Sequence, residues 1–122
     1  MMPKPANAPL RFLSMHRLDE RSASAAPRDA QRDAKLAALI DEMTRAGVLQ
    51  ATGALAGTER GARIRFQSGK HTVTDGPFAE SKELVAGYAI LELPSKVEAV
   101  AWATRFGAIV RVNEVEIREL AE

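Results

Sequence analysis

The sequence contains no cysteine and only two histidines, His16 and His71, among its 122 residues. Without cysteine the chain can form no disulfide, no thiolate nucleophile and no cysteine-ligated metal site. Two histidines without a paired spacing also argue against a multi-histidine metal site within one chain. The sequence has no glycine-rich phosphate loop and no nucleophile elbow. We therefore expect no bound metal and no cofactor.

Long apolar runs and an excess of one charge are missing as well. No run approaches the roughly 20 residues that a membrane-spanning helix needs, and the N-terminal sequence MMPKPANAPLRF lacks the apolar core of a signal peptide. The 17 basic and 16 acidic side chains nearly cancel, so no overall field attracts nucleic acid or acidic lipid. These absences predict a cytoplasmic protein that binds neither nucleic acid nor membranes.

Hydrophobic residues make up 46% of the chain, enough for a modest core. Residues 1–8 are rich in proline and predict a flexible N-terminal tail. The length suits one domain, so we expect residues 9–122 to form a single domain.

Most of the informative residues lie between positions 63 and 93. Ile64 and Phe66 alternate with polar residues, which predicts a half-buried strand, and Ser68-Gly69 predicts a two-residue hairpin turn. That turn places Phe66 opposite His71 and Ile64 opposite Val73, with all four on one apolar face. The apolar run 85–93 predicts a central strand covered on both faces, and Gly87 within it predicts a bulge or a close approach by another chain.

The hairpin ends at the sequence Asp75-Gly76-Pro77-Phe78. Proline offers no N–H to a strand ladder, and we expect Gly76 to supply a positive φ at the turn. On that basis Gly76→Val should damage folding more than Asp75→Asn, because asparagine keeps the ability to form an Asx turn.

The flanking sequence predicts the remaining elements. A first strand at 10–16 is apolar on both faces, with Leu13 and Met15 on one side and Phe12, Ser14 and His16 on the other. A helix is expected over 28–46 with Gly47 after its end, and a strand over 48–54. Ser95 and Glu98 predict a capping box that opens a second helix, Gly107 its end, and a final strand follows at 114–120.

The run TVTDGPFAESKELVAGYAILEL, preceded by GARIRFQSGK, resembles the YCII-related (DGPF-domain) family, which is named for the four residues 75–78. The resemblance extends over roughly residues 35–120. It implies an α+β, ferredoxin-like βαββαβ fold with an antiparallel sheet, and a homodimer whose paired sheets form an α/β barrel around a cavity. It also implies varied functions: a few members resemble small lyases or dehalogenases, and many are encoded beside alternative sigma factors.

Asp75 and His16 are the candidate catalytic residues. Asp75 ends the hairpin strand, where its carboxylate suits either general acid–base chemistry or capping of the following turn. His16 ends the first strand and titrates near neutral pH, although a lone histidine there is more often merely hydrogen-bonded or solvated. If paired sheets enclose a pocket, we expect these two side chains to be its polar pair, in one chain or across the dimer.

Tyr88, His71 and Glu80 are the candidate ligand-binding residues. Tyr88 lies mid-strand beside Gly87 and carries a hydroxyl, yet packing with one hydrogen bond explains it equally well. His71 lies about 13 Å along the strand from Asp75, too far for a direct dyad, and is expected at a rim. Glu80 follows the DGPF sequence and is expected at a cavity mouth or on a solvated bridge.

Three functions remain open from the sequence. The first is a small dimeric domain that binds a small molecule without assigned chemistry. The second is a cofactor-free lyase or isomerase that uses Asp75 and a histidine. The third, suggested by the resemblance alone, is a regulatory partner of an alternative sigma factor.

Overall fold

The computed structural model describes residues 9–18, 29–78 and 84–122. These residues form an α+β fold with a four-stranded antiparallel sheet, two helices, and a separate two-stranded hairpin. The elements in chain order are β1 (Leu10–Leu18), α1 (Ala30–Arg45), β2 (Leu49–Ala54), β3 (Ala62–Gln67), β4 (Lys70–Asp75), β5 (Leu84–Leu93), α2 (Lys96–Val110) and β6 (Glu114–Glu119).

The larger sheet has the strand order β2-β5-β1-β6, and every neighbouring pair is antiparallel. With the hairpin set aside, the remaining elements follow the order βαββαβ. This order and the antiparallel pairing are compatible with the predicted ferredoxin-like fold. The predicted tail at residues 1–8 lies outside the described residues. No helix within the described segments is both long and apolar enough to cross a membrane.

The core lies between the sheet and the two helices. Alternate residues of β1, namely Phe12, Ser14 and His16, are buried on this side, and the alternation correctly predicted that the three share one face. From β5, Ala89, Leu91 and Leu93 join them, and the helices contribute Leu39, Met43 and Ala99. Because Ala99 and Ala103 are small and buried, α2 approaches the sheet closely along this part of its length.

The two helices are capped by polar side chains at their N-termini and end in left-handed residues. The carboxylate of Asp29 accepts hydrogen bonds from the backbone of the first turn of α1, and Gly47 follows that helix with φ +73°. Ser95 caps α2 by accepting from the N–H of Glu98 at 3.3 Å. The prediction that Gly107 ends α2 is wrong, because the helix continues to Val110. Arg111 takes the left-handed conformation after it.

The hairpin has the predicted register, with Phe66 opposite His71 and Ile64 opposite Val73, and its turn residues both have positive φ. The prediction of a half-buried strand is wrong. Phe66 is 77% exposed, and Ile64 and Val73 are each 57% exposed. The hairpin forms its own two-stranded sheet, so none of the strands of the larger sheet covers its apolar side.

The prediction of a positive φ at Gly76 is also wrong, since the glycines with positive φ among the described residues are Gly47 and Gly69. Glycine is required at position 76 for a different reason. A Cβ placed there would lie 1.6 Å from the carbonyl oxygen of Thr58, which caps the base of the hairpin. The N–H of Gly76 donates to the carbonyl of Gly61 at 2.9 Å, and the N–H of Phe78 donates to Thr58 Oγ1 at 3.2 Å.

The sheet face turned away from the helices carries Leu13 and Met15 from β1 and Tyr88 and Ile90 from β5. We call these four residues the open face. In the register Met15 lies opposite Tyr88 and Leu13 opposite Ile90, so the four are neighbours. All four are only half-buried, whereas their neighbours on the helix side are buried.

Candidate functional site

His16 lies on the floor of the space between the sheet and the helices. Its ring is only 4% exposed and stacks on the ring of Phe106 from α2, with centroids 4.2 Å apart and planes 26° apart. Its Nε2 shares a hydrogen bond with Ser14 Oγ at 3.4 Å, and the tautomer decides which of the two donates. The imidazole is therefore held by one stacking contact and one hydrogen bond.

Burial also controls the charge of His16. Loss of solvation disfavours the imidazolium, so the pKa of His16 is lowered from its ordinary value. The ring is consequently neutral at physiological pH, which leaves one nitrogen as a donor and the other as an acceptor. A neutral imidazole of this kind can receive a proton or exchange a hydrogen bond with a ligand.

A β-bulge shapes the backbone beside His16. The register between β1 and β5 shifts between His16 and Arg17, which confirms the bulge predicted from Gly87. A Cβ on Gly87 would lie 3.2 Å from His16 Nδ1 and 3.0 Å from the carbonyl oxygen of Gly53. Glycine at this position therefore allows the imidazole to lie against the backbone of β5.

A cavity of about 360 Å³ opens above this floor. Apart from His16 and Thr52, its walls are built from apolar side chains and glycines. They come from both helices and from the ends of β1, β2 and β5: Leu18, Leu36, Ile40, Gly53, Ala54, Ala86, Gly87, Phe106, Val110 and Val112. An apolar pocket with a few polar groups is the usual form of a small-molecule site.

Thr52 supplies the second polar group of the cavity wall. Its hydroxyl donates to the carbonyl of Tyr88 at 3.0 Å, so the oxygen is left to accept a hydrogen bond. Thr52 and Ala54 are exposed and lie on β2, which is an edge strand of the larger sheet. The cavity is therefore accessible from this edge.

Asp75 does not share this cavity. It ends β4, opposite Ala62, and its side chain is exposed. Within the described residues its carboxylate forms no hydrogen bond to the following turn and none to His16. The proposed pairing of Asp75 with His16 thus has no support from contacts within one chain.

The other candidate ligand-binding residues are dispersed. His71 is exposed on the hairpin, with its ring 6.3 Å from that of Phe66. Tyr88 belongs to the open face, on the opposite side of the sheet from His16, and its ring lies close to Gly53. Glu80 lies outside the described residues.

The described residues also contain a second, larger groove. This groove of about 560 Å³ runs between α2 and β6, and it is lined by Val100, Gly107, Val115 and seven other residues, none of them histidine. No cluster of three or more histidine, aspartate or glutamate side chains suited to a metal occurs in 9–18, 29–78 or 84–122. The cavity above His16 combines an apolar wall with a buried titratable side chain.

Sequence reasoning missed three residues of this site: Ser14, Thr52 and Phe106. Ser14 was detectable, because it shares the helix-facing side of β1 with His16 two residues later. Phe106 lies in the segment predicted as the second helix, yet nothing local indicates that its ring lies on an imidazole. Thr52 is brought to the cavity by the pairing of β2 with β5, which is a long-range contact.

Comparison with known proteins gives two results. The sequence pattern of the YCII-related domain matches residues 11–122 of this chain. The chain is also similar to "Uncharacterized protein R00369" of Rhizobium meliloti (strain 1021), with 33% identity over 87 residues, which is 70% of each protein. The name of that relative states no activity.

Proposed function

The chain belongs to the family of YCII-related domains, and on this premise we propose that it is a homodimeric domain that binds a small molecule. The observation that carries the proposal is the cavity of about 360 Å³ with His16 buried at its floor. This volume falls in the range of ligand pockets, roughly 300–1,000 Å³.

Two apolar surfaces, one half-buried and one exposed, support the homodimer. The open face offers Leu13, Met15, Tyr88 and Ile90, and the hairpin offers Phe66. Monomers rarely leave apolar patches of more than a few hundred Å² in water. Two open faces packed together would complete the α/β barrel that the family resemblance implies, with Tyr88 at the interface.

A small-molecule cavity between the paired sheets was expected from the sequence. His16 faces the helices and not the open face, so it cannot line such a cavity. We therefore assign the ligand to the helix side of the sheet in each protomer. Tyr88 remains available to a space between the sheets.

Light scattering and ligand screening test the two parts of the proposal separately. The wild-type chain should be a dimer at micromolar concentration, and Met15→Asp should make it a monomer because the charge would be buried at the interface. Val97→Asp is the matched control, since Val97 is 76% exposed on α2, away from the open face. A monomeric wild type refutes the dimer, and a thermal-shift screen without any stabilising compound refutes the binding site.

A cofactor-free lyase or isomerase is the second proposal, and the neutral, buried His16 favours it because this side chain can accept a proton from a bound molecule. The second group named for this chemistry, Asp75, is exposed on the hairpin and outside the cavity. Mass spectrometry of a bound compound before and after incubation distinguishes binding from turnover. If turnover depends on His16 alone, His16→Gln abolishes it and Asp75→Asn does not.

The third proposal, a regulatory partner of an alternative sigma factor, is supported by the family resemblance alone. Co-purification of the chain with an alternative sigma factor from the same organism is the direct test. A Phe66→Ser variant would show whether the exposed hairpin takes part, and no co-purification by the wild type would exclude the partnership.

A further inference from the structure

We infer that the cavity above His16 takes an uncharged, largely apolar molecule with a single hydrogen-bonding head group, such as a ring that carries one hydroxyl. This inference rests on the proposed function, because it assigns a chemical class to the ligand of the same site. Three observations carry it: the apolar side walls, the position of the two polar groups, and the size of the space.

The side walls of the cavity favour a ligand that is mostly apolar. Leu36 and Ile40 from α1 line the cavity together with Phe106 and Val110 from α2, and Val112 follows after the end of α2. Apolar surface that enters such a site gains about 25 cal/mol per Å² removed from water. A sugar or a nucleotide would lose its hydration to these walls without hydrogen bonds in return.

The polar groups select one small head group. Ser14 engages Nε2 of His16, while Nδ1 lies beside Gly87, which itself lines the cavity. Among the described residues Nδ1 has no hydrogen-bond partner, so this nitrogen is the one that a ligand can reach. Thr52 Oγ1 can accept a second hydrogen bond because its proton is already donated to Tyr88. A hydroxyl suits both groups because it donates and accepts.

The surroundings disfavour an ionised head group. The described lining contains no lysine, arginine, aspartate or glutamate that could neutralise it. A charge placed against Ile40 and Phe106 would lose its hydration without a counter-charge. The same desolvation keeps the pKa of His16 below its ordinary value, so the imidazole is not a cationic partner for an anion.

The volume limits the size of the ligand. A space of about 360 Å³ holds about a dozen non-hydrogen atoms, if each takes roughly the 30 Å³ that a water molecule occupies in the liquid. A single ring with one or two small substituents meets this limit. Larger cofactors such as dinucleotides do not.

Four ring compounds of nearly equal size test the inference by isothermal titration at pH 7.5: phenol, toluene, benzoate and benzylamine. We expect phenol to bind most tightly. Toluene should bind about fivefold to tenfold more weakly, because it lacks the head group. Benzoate and benzylamine should bind at least about tenfold more weakly than phenol, because both are ionised. Tighter binding of either charged compound overturns the inference and leaves the proposed binding function intact.

Two variants locate the binding. Leu36→Trp should fill the cavity and abolish binding of phenol, whereas Leu55→Trp should not, because Leu55 is 50% exposed and outside the cavity lining. His16→Phe should remove the advantage of phenol over toluene. If His16→Phe does not fold, Thr52→Val, at an exposed edge position, should reduce the same advantage. If none of the four compounds binds at millimolar concentration, both the inference and the proposed site are refuted.

Discussion

Replacing Gly76 by alanine should destabilise the protein out of proportion to the added methyl group. The new Cβ would lie 1.6 Å from the carbonyl oxygen of Thr58 and 2.5 Å from its carbonyl carbon, whereas real Cβ contacts are essentially never shorter than 3.0 Å. The separation from the oxygen must therefore grow by 1.4 Å, from 1.6 to 3.0 Å. Both groups belong to the backbone, so no side-chain rotation can relieve the clash.

The magnitude follows from the hydrogen bonds that meet at this point. Gly76 N–H donates to Gly61, Gly61 N–H donates to Thr58 at 3.0 Å, and Phe78 N–H donates to the Thr58 hydroxyl. Each bond contributes about 0.5–1.5 kcal/mol, so the loss of two or three destabilises the fold by about 1–4.5 kcal/mol. Urea denaturation at one fixed protein concentration, followed by the fluorescence of Trp102, measures this free energy of unfolding.

Gly61→Ala is the matched control, because its Cβ would lie an ordinary 3.6 Å from the same carbonyl oxygen of Thr58. We expect that variant to change the free energy of unfolding by no more than about 0.5 kcal/mol. Asp75→Asn, at an exposed position, should also change it by no more than about 0.5 kcal/mol. Equal losses in Gly76→Ala and Gly61→Ala would show that the close approach of Thr58 is not the reason for glycine at position 76.

Three further outcomes are expected. First, the unfolded chain binds more protons than the folded chain between the ordinary pKa of His16, 6.5, and its lower folded pKa. The contribution of His16 to stability is therefore complete above pH 6.5 and is lost as pH falls through that window, by at most about 1.4 kcal/mol per pH unit. Denaturation curves of the wild type and His16→Phe should diverge in that window, and parallel pH profiles would contradict the assignment. Second, Phe106→Ala should move the pKa of His16 back towards its ordinary value, because water reaches the ring. An NMR titration of the imidazole measures this, and an unchanged pKa would mean that Phe106 does not shield it. Third, Gly69→Ala should cost about 1–2 kcal/mol from backbone strain alone, since φ is +76° and no atom lies within 4 Å of the new Cβ. Gly69→Asn should cost less, because asparagine tolerates this conformation better, and thermal melting that ranks the two variants in the opposite order would contradict this reasoning.

Local features of the fold could be predicted from the sequence because neighbouring residues determine them. The Ser68-Gly69 turn determined the register of the hairpin, and alternation along β1 identified which side chains share a face, although not that the face of His16 is the one turned to the helices. Gly107 was misread because its role is not local. A Cβ there would lie 3.3 Å from Val115 Cγ2, so glycine allows the last turn of α2 to lie against β6.

The candidate site was harder to predict because tertiary contacts assemble it. Asp75 and His16 each end a strand, and strand ends often meet in one pocket. Here Asp75 belongs to a separate two-stranded sheet, so a shared strand-end position does not bring it to His16 within one chain. The residues that do surround His16 come from α1, α2 and β2, and no pattern in one segment reveals that they meet.

The separate hairpin also bears on the order in which the chain folds. Strands β2 and β5 are neighbours in the sheet, but the whole hairpin lies between them in sequence. A hairpin with a two-residue turn closes within about 1–10 μs, faster than distant segments find each other. Once β3 and β4 have paired, the connection from β2 to β5 behaves as a shorter loop. This lowers the entropy that is lost when β2 and β5 pair. The slow step should then be the arrival of β1 between β5 and β6, because β1 comes from the opposite end of the chain.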